Sequence, residues 1–254
     1  MCIFSGQVSV VANTKIFARS ASNGRQYLVY SMQYQADADL AMILPLPTPV
    51  SSTEDAIRFI DLSGYPQFFT DMASGFIEFQ SRALGPVPQP ASIPKLIIHK
   101  VGSFQASFVP HLQDFSRLDA RFRLPQQAWE QLPMYSDYGF AVFKLQVGAK
   151  NIHPMAFEFP RRDTDELFFP TIHIHDGTVE AQAHFDHALY CQTPHPLPDW
   201  RISSDAPYKG QPIPAEKFMD CDKAQGVVDA DVPIQTMRLQ GVYPNTDIVI
   251  QENH

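Results

Sequence analysis

Twenty-two prolines in 254 residues, against only 12 glycines, limit how long any regular element of this chain can run. Proline removes an amide donor and clashes inside a helix, so it is tolerated at strand edges, turns and extended connectors. The prolines bunch in three places: Leu44-Pro45-Leu46-Pro47-Thr48-Pro49, Pro86-Val87-Pro88-Gln89-Pro90, and the stretch 193–214. Between them lie short apolar runs of strand length. This spacing argues against a helical bundle and for many short extended segments.

Residues 14–35 have the pattern of a β-hairpin. Asn23-Gly24 tolerates the positive φ of a tight primed turn, and after it Leu28, Tyr30, Met32 and Tyr34 alternate with Val29, Ser31, Gln33 and Gln35. Leu40–Leu46 reads as a buried strand that the following prolines bring to an edge or an exit. Ser51-Ser52-Thr53-Glu54 has capping-box spacing, which predicts a short helix over 54–62. The stripe Phe69, Met72, Ala73 and Phe76 predicts a second helix over 66–79. Further expectations are strands at 95–101, 104–109, 139–147 and 153–159, and a short helix near 126–131. The charged stretch 161–166 is expected to be a solvated loop, and 236–251 a closing pair of strands around Pro244-Asn245. Together these predict a mainly β or α+β fold of antiparallel sheets, sandwich or barrel-like, with a few short helices. The expected organisation is a single domain over 1–254, with 195–254 as a loosely attached C-terminal part.

Charge and cysteine usage narrow the function classes. With 19 Lys+Arg against 27 Asp+Glu the formal net charge is −8, a field that repels nucleic acid and anionic lipid. The longest apolar stretch, around 40–44, is far short of a membrane helix. The first residues, Met1-Cys2-Ile3-Phe4-Ser5-Gly6, show no basic and apolar leader pattern, and Cys2, Cys191 and Cys221 form no CxxC pair. A cytoplasmic protein with reduced thiols is the expectation, with neither nucleic acid nor membrane as partner.

Three stretches taken together resemble a family of uncharacterised bacterial proteins known only as a domain of unknown function. They are Cys2-Ile3-Phe4-Ser5, the run from Tyr34 to Pro47, and Tyr138-Gly139-Phe140-Ala141-Val142-Phe143-Lys144-Leu145 with His153-Pro154 and Phe168-Phe169-Pro170. The resemblance covers about residues 2–175 and carries no reaction with it.

The chemistry-bearing residues gather in 171–191. With Asp176-Gly177 as a two-residue turn, His175 would pair with Thr178 and His173 with Glu180. Strand parity then places His173, His175, Glu180 and His184 on one face, and Ile172, Ile174, Val179, Ala181, Ala183 and Phe185 on the other. Cross-strand neighbours stand close enough for two imidazoles and a carboxylate to share one ion in a facial triad. The spacing H-x-H-x4-E resembles the first metal motif of cupins, small β-barrels that hold iron, manganese, nickel or zinc. A helix over 181–191 would instead align His184, His187 and Cys191, a nitrogen and sulfur set suited to zinc or copper. The reading that follows is a metalloprotein, with a divalent transition metal (zinc, iron, manganese or copper) acting on a small-molecule substrate.

Two alternatives use the residues differently. Removal of Met1 would expose Cys2 as amine and thiol together, the logic of N-terminal-nucleophile amide hydrolases. The Cys2 thiolate would also be a ligand if it reached the histidines. In the other alternative the histidine-bearing face is merely polar, and the chain is a non-catalytic binding or scaffold module.

Overall fold

The computed structural model describes residues 3–76, 99–101, 104–151, 153–175, 177–206 and 210–252. The protein is mainly β, as the proline spacing predicts, with a few short helices. In chain order the strands are β1 (Ile3–Phe4), β2 (Val10–Ala21), β3 (Arg25–Ala36), β4 (Leu40–Leu46), β5 (Arg58–Asp61), β6 (His99–Val101), β7 (Phe104–Val109) and β8 (Gly139–Leu145). They continue with β9 (Gly148–Asn151), β10 (Met155–Pro160), β11 (Glu166–Phe169), β12 (Gln182–Gln192), β13 (Arg201–Ile202), β14 (Gln235–Pro244) and β15 (Ile248–Gln251). Helix α1 spans Phe68–Ser74 and α2 spans Gln126–Glu130.

The strands form a five-stranded sheet in the order β1-β4-β8-β7-β6 and an eight-stranded sheet in the order β13-β14-β12-β2-β3-β10-β5, with β9 also on β3. A two-stranded ribbon joins β11 to β15. Within the large sheet β12 runs parallel to β2, while its other described pairings are antiparallel.

Period-2 alternation decides what each face does. Ile16, Leu28, Tyr30, Phe157, Phe185 and Leu189 of the large sheet meet Phe4, Met42, Leu44 and Phe143 of the small one in the central core. The opposite face of the large sheet, with Phe17, Val29 and Tyr190, packs under α1 and the segment that carries Ala215, Val227 and Ile234. The outer face of the small sheet packs under the short helical turns with Phe115, Leu124 and Tyr135. Each sheet is therefore buried over much of both faces, which explains the near-continuous apolar run of β4.

The 14–35 hairpin forms as expected, with Gly24 at φ +74° in its turn. Leu40–Leu46 pairs along its whole length with β8, while on its other side β1 covers only Met42 and Ile43, so among the described residues the proline end of the strand is an edge. Pro45 fits because β1 is only two residues long, which leaves the other side of the strand free of a partner where the amide is missing.

The helix expected over 54–62 does not form. Residues 58–61 are a strand, fixed by Arg58, whose Nε and Nη2 donate to the two Glu158 carboxylate oxygens at 3.0 Å each. A bidentate ion pair and a strand register outweigh one capping box. Helix α1 is shorter than its apolar stripe implied, and residues 77–79 lie outside the described residues.

The charged stretch 161–166 is for the most part the solvated loop expected, with Arg162, Asp163, Thr164 and Asp165 exposed, but its first residue is anchored in the fold. The Arg161 side chain is only 8% exposed and pairs with Glu252, which is 6% exposed, and Arg162 donates to the Thr48 carbonyl. The closing strands β14 and β15 exist, but each pairs elsewhere: β14 with β12 and β13, β15 with β11.

Candidate functional site

The segment 171–174 enters the core without joining a hairpin. Asp247 accepts the Thr171 and Ile172 amides at 2.8 and 3.0 Å, and Tyr135 donates its hydroxyl to the same carboxylate at 2.5 Å. Asn245 accepts the His173 amide at 2.7 Å and donates to the His173 and Glu180 carbonyls at 2.9 Å each. On the other side the N-terminal strand closes the gap: Ile3 bridges Ile174 in parallel, and Phe4 donates its amide to the Ile174 carbonyl at 2.9 Å. The backbone donors and acceptors that a hairpin would have satisfied are thus taken by two side-chain amide and carboxylate groups and by β1.

This corrects the expected hairpin. Gly177 has φ +82°, as a turn glycine does, whereas Asp176 lies outside the described residues. His173 and Glu180 are held apart by Asn245, which lies between their carbonyls. Residues 181–191 do not form the alternative helix either: 182–192 is strand β12. Strand parity on β12 sends Phe185 and His187 inward and leaves His184 exposed on the other face. Cys191 shares the inward face with His187 but stands four residues along, about 13 Å at the rise of a strand. Burial pushes its thiol pKa well above the ordinary value, which disfavours a thiolate ligand.

What the fold does bring together is His173, His175 and His187 among aromatic rings. The His173 ring lies 5.2 Å from His187 and 5.7 Å from His175, centroid to centroid. Phe185 packs 4.3 Å from His173 and 5.1 Å from His187, Phe4 stands 5.7 Å from His175, and Tyr243 meets Phe185 edge-on at 5.8 Å.

His173 is 7% and His187 3% exposed. Desolvation, reinforced by the neighbouring imidazoles, lowers the His173 pKa to about 2, and the same cause depresses that of His187 strongly. Both rings are neutral at any physiological pH. The His173 Nε2 atom makes no hydrogen bond among the described residues. The rings therefore stack as apolar groups.

Of the proposed ligands, then, Glu180, His184 and Cys191 are not brought to His173 and His175, while His187 is. Among the described residues no three His, Cys, Asp or Glu side chains form a group able to hold a metal ion. The metalloprotein reading is corrected on that ground: Glu180, the carboxylate that would anchor a triad, is exposed, whereas His173 is buried. Cys2, the candidate nucleophile, lies outside the described residues, although the strand that follows it is one wall of this cluster.

The contribution of Asn245 and Asp247 was missed in the sequence. The signal available was a pair of short polar side chains, spaced i and i+2 after Pro244, that can accept backbone amides of a distant segment.

No protein-family model matches the chain, and neither does any curated protein. Among solved structures it is similar to baculovirus P35, with a TM-score of 0.52 at 12% identity over 99% of this chain and 99% of that one. It is also similar to a mutated baculovirus P35 after caspase cleavage, with a TM-score of 0.51 at 11% identity over 95% of this chain and all of the other. The likeness spans nearly the whole chain and is one of fold. It overturns both the resemblance to the bacterial domain of unknown function and the cupin motif: the chain has the fold of baculovirus P35.

Proposed function

We propose that this chain is a non-catalytic binding module whose partner is a cysteine protease of the caspase type, engaged as a bound protein rather than through a reaction centre of the chain's own. The observation that carries the proposal is the extent of the fold likeness, 99% of both chains with P35, a protein whose mutated form has been solved after caspase cleavage. The histidine cluster supports the same reading. Neutral imidazoles stacked on Phe185 and closed over by β1 serve as packing, whereas a catalytic centre needs groups poised to titrate near the working pH. A binding module also needs a platform that holds its shape, and two sheets buried over much of both faces provide one.

The test is to incubate the purified protein with active caspases and, in parallel, with a papain-type protease. Residual activity is read on a fluorogenic peptide, and the intact mass of the chain is recorded. Loss of caspase activity in proportion to added protein, or one defined cut in the chain, is expected. Full caspase activity with an intact chain at a large molar excess of the protein refutes the proposal. Equal effects on both proteases would refute its caspase component.

A further inference from the structure

The tip of the β2–β3 hairpin places a reactive pair of residues in the open. Ala21 of β2 pairs with Arg25 of β3, which leaves the three-residue loop Ser22-Asn23-Gly24 between them. The Gly24 amide donates to the Ala21 carbonyl at 3.2 Å, and the glycine takes φ +74°, the form of a hairpin loop that closes on a left-handed residue. Ser22 and Asn23 are exposed. The Asn23 Oδ1 atom accepts the Arg25 amide at 3.3 Å.

The carboxamide carbon of an asparagine and the backbone nitrogen of the next residue are one ring closure apart, and a glycine in second place has no Cβ to hinder the approach. Two contacts restrain the atoms that would react, the Gly24 amide on Ala21 and the Arg25 amide on Asn23. Both are at the long end of the hydrogen-bond range. Both also lie in an exposed loop, where local opening of a fold costs least. A third contact, from the Arg161 amide to the Gly24 carbonyl at 3.0 Å, lies beyond the bond that would form. The other described asparagines stand differently. Asn13 donates its side-chain amide to Gln33 Oε1 at 2.8 Å and precedes the buried, β-branched Thr14. Asn245 is buried with its carboxamide in three hydrogen bonds, and Asn151 precedes an isoleucine.

We propose that Asn23 is a self-modification site, which deamidates in the folded protein through a cyclic imide formed with Gly24. The Gly24 nitrogen gives its proton to solvent base and bonds to the Asn23 Cγ atom. The bond from Cγ to Nδ2 breaks, and the nitrogen takes up a proton and leaves as ammonia. Water then opens the imide at either carbonyl, with no change of oxidation state. Attack at Cγ restores the ordinary backbone with aspartate at position 23. Attack at the backbone carbonyl breaks its bond to the Gly24 nitrogen and leaves isoaspartate, with one extra methylene in the main chain. Either product adds a negative charge at the tip. The isoaspartyl product also displaces the Gly24 carbonyl from the Arg161 amide, so ageing loosens the hold of the hairpin on the start of the 161–166 loop.

The folded protein and a synthetic peptide of residues 20–25 are kept side by side at pH 8 and 37 °C, and samples are mapped by trypsin digestion and mass spectrometry. Trypsin cuts after Arg19 and Arg25, so Asn23 is isolated in the fragment 20–25. A gain of one mass unit that grows with time is expected in that fragment, resolved by chromatography into two products. Isoaspartate is identified by its methylation with a protein isoaspartyl methyltransferase. The rate in the folded protein should lie within about tenfold of that in the free peptide, equivalent to about 1.4 kcal/mol of loop opening. It should rise with pH, and Asn23→Ser should abolish the isoaspartate in this fragment. A rate more than about tenfold below that of the peptide overturns the site. So does a product that is aspartate alone, which marks direct hydrolysis without the ring. Isoaspartate that accumulates as fast at Asn13 or Asn151 also overturns it, because the hairpin loop would then not be what selects the residue.

Discussion

Acidification should loosen this fold through two particular side chains, His173 and His187. Both are buried and neutral in the folded protein, with pKa values pushed far below the ordinary 6.5 by desolvation. In the unfolded chain they return to about 6.5, so below that pH the unfolded state binds protons that the folded state refuses. Their contribution is fully present above pH 6.5 and is lost as the pH falls toward the folded-state value. Between pH 7 and pH 5 each histidine costs about 2 kcal/mol at 1.36 kcal/mol per unit, or about 4 kcal/mol together. For a chain of this size that is a drop of about 8–16 °C in Tm.

Two carboxylates add pH dependences of their own, that of Glu158 lying below its ordinary 4.5 and so mostly outside this range. Glu158, whose pKa is lowered chiefly by its hydrogen bonds from Arg58, loses stability with falling pH. Asp247, whose pKa is raised by burial, acts in the opposite direction. The histidine share is isolated by comparing the protein with the double variant His173→Leu/His187→Leu. Urea denaturation followed by tryptophan fluorescence at pH 7, 6 and 5 gives the stability of each. The gap between the two proteins should shift by about 4 kcal/mol over that range in favour of the variant. Parallel pH dependences in the two proteins would refute the assignment of buried, neutral imidazoles.

Two further substitutions probe the framework around the cluster. Asp247→Ala leaves the Thr171 and Ile172 amides and the Tyr135 hydroxyl without their shared acceptor. It should cost about 3–5 kcal/mol by chemical denaturation, with Asp247→Asn recovering part of the loss; a cost under about 1 kcal/mol would show that water replaces the carboxylate freely. Gly139→Ala places a Cβ 2.5 Å from the Phe108 ring and 2.7 Å from the Thr48 hydroxyl oxygen. It should destabilise by about 1–3 kcal/mol, and an unchanged Tm would show that β7 and β8 shift to accommodate it.

Local chemistry was legible where one interaction had no strong rival. Asn23-Gly24 sets a hairpin because few residues accept its φ, and the alternation from Leu28 to Tyr34 marks a strand with one face on the central core. The short helix near 126–131 also appears, as Gln126–Glu130. The capping box at 51–54 was outvoted by Arg58 and Glu158, which meet only once β5 lies beside β10. The histidine pattern at 173–187 misled for a similar reason. A two-residue turn predicts pairing between neighbours in sequence, yet Ile174 pairs with Ile3, and Asn245, from 72 residues away, takes the His173 amide.

By itself, then, the sequence determined the abundance of short strands and, among the described residues, the scarcity of long helices, because these follow from φ restrictions and side-chain period within a few residues. Tertiary structure alone decided which histidines meet and that they are neutral. Burial and cross-strand neighbours are set by the order β14-β12-β2-β3. That order depends on which distant strands can cover one another's apolar faces, and a parallel pairing such as β12 with β2 leaves no mark in the residues next to it.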